Sequence, residues 1–158
     1  LAMIVNRIKK YYDYDYIFID CPPSLGILST SALLASDSLI IPTTMDMLST
    51  IGIDTIIGNL HDLGQVLPSF KVRGILFNSY TDTRFDNEAR EDVIEYAKEN
   101  NIPVFNTVVP RNLQLKKLSG TGEIAVQQNG KDWQPYRQAI YSLAKEIIEQ
   151  DEGGNVNG

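Results

Sequence analysis

Asp20 closes a short unbroken apolar run, Tyr16-Ile17-Phe18-Ile19, and is followed by Cys21-Pro22-Pro23-Ser24-Leu25-Gly26. Open parallel sheets present their ligand-binding groups at the carboxyl ends of strands, and a carboxylate there can hold a magnesium-bound water. An isolated Asp after a strand more often only caps a turn; the segment that follows sets this one apart. Asn78 ends another apolar run, Ile75-Leu76-Phe77, and its amide offers one donor group and one acceptor, with a polar turn residue as the plain alternative. The single cysteine, Cys21, cannot form an internal disulfide, and no Cys/His cluster has metal-ligand spacing. His61 falls within a helical apolar stripe and reads as a helix-surface histidine rather than a catalytic one.

The elements that must position these groups are legible in the hydrophobic pattern. Ile4, Val5, Ile8, Tyr11 and Tyr12 recur at helical spacing, which predicts a helix over residues 2–12 lying on a sheet. Residues 16–19 read as a strand covered on both faces, and residues 25–35 as a helix with Ser24 as its cap. Residues 38–42 repeat the strand signature, and 49–67 form a long amphipathic stretch with Ile53, Ile56, Ile57, Leu60 and Leu63 on one face. A third strand is expected over 72–77, a charged helix over 87–100 and a fourth strand region over 103–109. A short helical piece near 113–118, a loop at 119–122 and a final helix over 133–150 complete the domain, with Trp133 and Tyr136 as its anchors. Residues 151–158 are polar and Gly-rich and read as a disordered tail. Alternating strands and helices over 158 residues, 43% of them apolar, predict one α/β domain over 1–150: an open, mostly parallel sheet flanked by helices.

Tyr14-Asp15-Tyr16-Ile17-Phe18-Ile19-Asp20-Cys21-Pro22-Pro23-Ser24-Leu25-Gly26 resembles the second nucleotide motif of ParA/MinD-type ATPases. Ala35-Ser36-Asp37-Ser38-Leu39-Ile40-Ile41-Pro42 is similar to the family's next strand, and Val108-Val109-Pro110-Arg111-Asn112 to its late nucleotide-side loop, in the family's order. The resemblance spans roughly residues 13–148, and ParA-type partitioning ATPases fit it best. It implies a P-loop NTPase fold in which Asp20 helps hold magnesium through water. Pro22 and Pro23 would form a switch sensing the γ-phosphate, since two prolines leave the backbone few alternative conformations. It further implies that Asn78 reads adenine, and that Pro110, Arg111 and Asn112 line the base pocket largely through backbone groups.

A Gly-rich, Lys-Ser/Thr phosphate loop is not present in the sequence; Gly52, Gly58 and Gly64 do not form one. The resemblance places that loop and the first strand before Leu1. The chain, which does not begin with Met, is therefore expected to be the C-terminal portion of a longer ATPase and inactive alone. ATP and magnesium are the cofactors expected of the intact parent, and neither is expected on this portion.

With a formal charge of -6, any DNA contact must come from a local basic patch. Arg84 and Arg111, expected in loops after strands, are candidates together with Lys116 and Lys117; Arg90, in a mixed-charge helix, reads as an ordinary solvated charge. The family resemblance implies non-specific DNA binding by an ATP dimer, a centromere-binding partner of the ParB type, and a cytoplasmic, nucleoid-associated location. Two alternatives share the sheet. A MinD-like positioning ATPase would attach to membrane through a basic amphipathic C-terminal helix, which the acidic Glu149-Gln150-Asp151-Glu152 disfavours. A non-catalytic interaction module would have kept the sheet and lost the chemistry.

Overall fold

The structure, a computed structural model, describes residues 1–22, 26–45, 58, 70–118 and 120–154. Residue contacts divide the chain into two interleaved units, Leu1–Leu39 with Ser49–Val72, and Ile40–Leu48 with Arg73–Gly158. The amphipathic stretch expected over 49–67, His61 included, lies outside the described residues apart from Gly58.

In the first unit, α1 (Ala2–Tyr11) buries Val5 and leaves Met3 and Ile4 exposed. Lys9 and Lys10 in its last turn complement the partial negative charge of the helix end. Lys9 Nζ also reaches Asp37 Oδ2 at 3.0 Å, an exposed pair of small energetic weight. The second helix, α2 (Ile27–Leu33), starts at Gly26, which supplies no side-chain cap. The expected cap, Ser24, lies outside the described residues. Ser29 is buried, and its hydroxyl donates to the Pro22 carbonyl at 3.4 Å, tying the proline segment to the helix.

Residues 16–20 correct the sequence expectation. They belong to no β-ladder among the described residues, and Phe18 is 74% exposed. Tyr16 and Phe18 stack at 6.2 Å. An apolar run becomes a central strand only when neighbours pair with both of its edges; without a ladder the run stays at the surface.

Two strands, β1 (Ser38–Thr43) and β2 (Lys71–Phe77), pair directly. Lys71 N–H donates to Asp37 O at one end and Asn78 N–H to Thr43 O at the other, so residue numbers rise together and the strands are parallel. Residues 103–110 pair parallel to the other edge of β2 through the bridges Ile75 to Val104 and Tyr80 to Pro110. Flanked on both edges, β2 buries Gly74, Ile75, Leu76 and Phe77 in succession. Gly74, at φ 147°, is required here: a Cβ would lie 2.9 Å from the Pro103 carbonyl oxygen.

After β2 come α3 (Arg84–Glu99), the short α4 (Leu115–Leu118), 3-10 turns at Ala125–Gln127 and Lys131–Trp133, and α5 (Gln134–Gly154). Leu76, Phe105, Val109 and Ile147 form the core of the second unit, with Ile40, Tyr136, Ile140 and Leu143 packed around it. Trp133 is buried and meets Tyr136 edge-on at 6.2 Å, as expected for anchors of the last helix. That helix runs past residue 150, where a disordered tail was expected. Arg73 holds its end by ion pairing with Asp151 and donating to the Ile147 carbonyl at 3.2 Å, while Gln150 Nε2 donates back to Arg73 O at 3.4 Å.

The pairing of 103–110 with β2 is interrupted. Phe105 N–H donates to Ile75 O and Val109 N–H to Phe77 O, so four residue steps on one side span two on the other. The surplus falls at Asn106 and Thr107, where the Glu146 carboxylate of α5 takes the exposed donors. Its Oε1 accepts from Asn106 N–H at 2.7 Å and Asn106 Nδ2 at 3.2 Å, and its Oε2 from Thr107 N–H at 3.0 Å.

Candidate functional site

The carboxyl ends of β1, β2 and the 103–110 segment converge in the second unit. Beyond the Val109–Phe77 hydrogen bond, Tyr80 N–H donates to Val109 O and Arg111 N–H donates to Tyr80 O at 2.9 Å. The backbone therefore brings Asn78, Tyr80, Pro110 and Arg111 to one edge; Asn78, Pro110 and Arg111 were expected at strand ends, and Tyr80 was not foreseen. Reaching Val109 O from Tyr80 rather than Ser79 adds a residue on the β2 side, and there Ser79 adopts φ 57°. Asp82, at φ 54°, is a second non-glycine residue in the left-handed region within four positions. Such conformations cost about 1–3 kcal/mol each and persist only where the surroundings enforce them.

The enforcing contacts come from the start of α3. Thr83 is its N-cap, accepting from Asp86 N–H at 3.1 Å, and Asp86 lies in the first turn, where a negative charge is favoured. The buried Asp86 carboxylate reaches back to accept from Thr81 N–H at 2.8 Å and from the Thr81 hydroxyl. These two bonds hold its pKa below the ordinary carboxylate value, the hydroxyl bond contributing most. Asn87 Nδ2 donates to Asp82 Oδ1 at 3.1 Å and to Thr83 O at 3.0 Å, and the Tyr80 hydroxyl donates to Asn87 Oδ1. Desolvation, with the negative charge of Asp82 second, raises the Tyr80 phenol above its usual value. Sequence reasoning overlooked this network, although the spacing of Thr83 and Asp86 is a cap signature.

The individual side chains differ in what they have free. Asn78 Oδ1 accepts from Ser79 N–H at 2.9 Å, and its amide nitrogen makes no hydrogen bond among the described residues. Asn112 is committed to its own loop: Oδ1 accepts from Gln114 N–H at 2.9 Å and Nδ2 donates to Asp132 O at 3.1 Å. Both ends of its side chain are thus spent on holding the loop.

Arg84, expected in a loop, is instead the first residue of α3, because the Thr83 cap starts the helix earlier than the apolar pattern indicates. It pairs with Glu88 at 2.8 Å, in an i,i+4 arrangement. Arg111 is exposed, and exposed Lys116 and Lys117 lie on α4. Arg90 is not the simple solvated charge the sequence indicates: its guanidinium lies 5.4 Å from the centre of the Phe77 ring, and its buried Nε has no hydrogen-bond partner among the described residues.

Asp20 and Pro22 belong to the first unit, both exposed, whereas Pro23 lies outside the described residues. Asp20 makes no hydrogen bond or ion pair among the described residues, and no group of three potential metal ligands occurs among them. A lone accessible carboxylate suits magnesium, which keeps most of its waters and relies on substrate phosphates, better than a metal needing a full protein cage. Among the described residues no helix is long and apolar enough to cross a membrane.

A family model described as an AAA domain matches residues 1–71. The chromosome partitioning protein ParA of Myxococcus xanthus is 34% identical over 146 residues, 88% of this chain and 48% of that protein. The chromosome-partitioning ATPase Soj of Treponema pallidum is 32% identical over 154 residues, 96% of this chain and 58% of that protein. Cobyrinic acid a,c-diamide synthase from Mycobacterium smegmatis shares the fold. Its complex with ADP and magnesium superposes with a TM-score of 0.68 at 24% identity, covering 96% of this chain and 54% of that one. Its complex with an ATP analog and magnesium gives 0.64 at 27% identity, covering 85% and 50%. The chain thus spans about half the length of the proteins it matches. Its order of motifs, its parallel α/β sheet and these similarities make the chain, over the portion it spans, similar to the ParA/Soj partitioning ATPases.

Proposed function

We propose that this chain is the C-terminal portion of a ParA-type DNA-partitioning ATPase, with residues 1–150 forming one part of its nucleotide-binding domain. The carrying observation is the convergence of Asn78, Tyr80, Pro110 and Arg111 on one edge at the carboxyl ends of parallel strands, where such sheets bind ligands. In the intact parent, the Asn78 amide nitrogen and the backbone of residues 110–112 serve the adenine base. Asp20 serves the magnesium through water, and Pro22 and Pro23 respond to the γ-phosphate. Magnesium, when bound, neutralises charge on the transferring phosphoryl group.

The parent hydrolyses ATP, dimerises around it, binds DNA without sequence preference and works in the cytoplasm with a ParB-type partner. Arg111, Lys116 and Lys117 are the DNA-facing cations. Arg84, already paired with Glu88, contributes less to DNA contact. Phosphate contacts of this kind make DNA binding steeply salt-dependent.

With no phosphate loop in its sequence, the chain alone binds magnesium-ATP negligibly. Calorimetric titration of the chain beside its full-length gene product tests this. Binding by the longer protein alone supports the reading, and loss of that binding in Asp20→Ala assigns the metal-side role. Tight binding by the short chain overturns it.

A further inference from the structure

Glu146 lies on α5, far in sequence from every residue assigned above, yet both of its carboxylate oxygens are engaged by one two-residue bulge. Three donors converge on it: Asn106 N–H, Asn106 Nδ2 and Thr107 N–H, at 2.7, 3.2 and 3.0 Å. Successive backbone N–H groups turned the same way form a concavity that favours an anion, and a carboxylate matches two donors with two oxygens. The bulge stands between the Ile75–Val104 bridge and the Tyr80–Pro110 bridge. Its length sets how far Val109, Pro110 and Arg111 have advanced when they meet Phe77 and Tyr80. Were the two surplus residues drawn into a regular ladder, the groups delivered to the strand-end edge would be different ones.

We propose that Glu146 is a positioning residue for base recognition: by holding the Asn106–Thr107 bulge, it fixes the register at which Pro110, Arg111 and Asn112 reach the edge beside Asn78. This rests on the nucleotide reading above. Glu146→Gln is the informative change, because its amide group opposes one of the two backbone donors with a donor of its own.

In the isolated chain, amide NMR spectra of Glu146→Gln should shift at Asn106 and Thr107 and also at Val109, Arg111 and Asn112. Lys145→Ala, one position away, should leave those signals in place. Shifts confined to 106–107 and α5 overturn the proposal. In the full-length gene product, the preference for ATP over GTP should fall about tenfold, the equivalent of one charge-assisted hydrogen bond. Affinity for inorganic triphosphate, which has no base, should hold. An unchanged ATP:GTP ratio overturns the proposal, as does an equal loss for triphosphate, which marks a general structural role. Wild-type protein that binds neither nucleotide refutes the nucleotide reading, and with it the role in base recognition. Should Glu146→Gln fail to fold, Glu146→Asp, which keeps the charge and shortens the reach, is measured in its place with the same two readings.

Discussion

Two stretches of this chain share a plan, an apolar run followed by a polar turn and a helix, and they end in different states. Residues 71–77 form β2, paired on both edges, with Phe77 fully buried; the turn after it is locked by Thr83 and Asp86 at the start of α3. Residues 16–20 join no ladder among the described residues, expose Phe18, and lead to a helix whose Gly26 start has no side-chain cap. Composition nominates a strand, but edge partners and a capped exit make one.

The sharpest way to break this contrast is truncation of the two phenylalanines. Phe77→Ala should cost about 3–5 kcal/mol in denaturant unfolding, whereas Phe18→Ala should stay within about 0.5 kcal/mol. Equal costs would mean that the 16–20 run is buried after all. Gly74→Ala should destabilise by about 1–3 kcal/mol, because the new Cβ meets the Pro103 carbonyl and the backbone conformation suits glycine alone. A neutral result would show that β2 and residues 103–105 can separate without penalty.

The two helix starts give a middle-sized effect. Thr83→Ala should cost about 1 kcal/mol by loss of the cap, and Gly26→Ala a smaller amount, since no side-chain bond is lost there. Asp86 adds a pH signature. Its folded pKa lies below the ordinary 3.8, so its stabilising contribution is fully present above that value and is lost as pH falls through the folded one. Asp86→Asn should therefore flatten the acid limb of the stability curve; an unaltered acid limb would remove the carboxylate from the lock.

Ion pairs give the smallest effects. Asp151→Ala frees the partly buried Arg73 and should cost up to about 1 kcal/mol, while Lys9→Ala, in the exposed pair with Asp37, should change stability by only about 0.2 kcal/mol. Reversal of that order would show that α5 does not depend on its clamp.

Apolar periodicity made the α/β alternation legible, and β1, β2, α1 and the last helix lie close to where it put them. It missed the start of α3, because Arg84 and Asp86 add nothing to an apolar pattern while the Thr83 cap decides where the helix begins. It gave the last helix too early an end, since the clamp from Arg73 comes from a distant strand. Asn78, Pro110 and Arg111 were legible as strand-end residues, whereas Tyr80 was not. Their irregular register was not, because neither the left-handed Ser79 nor the bulge at Asn106 and Thr107 leaves a periodic trace, and Glu146 is remote in sequence.

The bulge also bears on how this segment can change length over generations. Its surplus over β2 is two residues, an even number, so Phe105 before it and Val109 after it both remain buried. A lineage that gains or loses residues here in pairs keeps its core facing inward, whereas a single-codon insertion or deletion would turn the apolar face out to water. Among descendants of this gene, length differences between Phe105 and Val109 should accordingly be counted in twos.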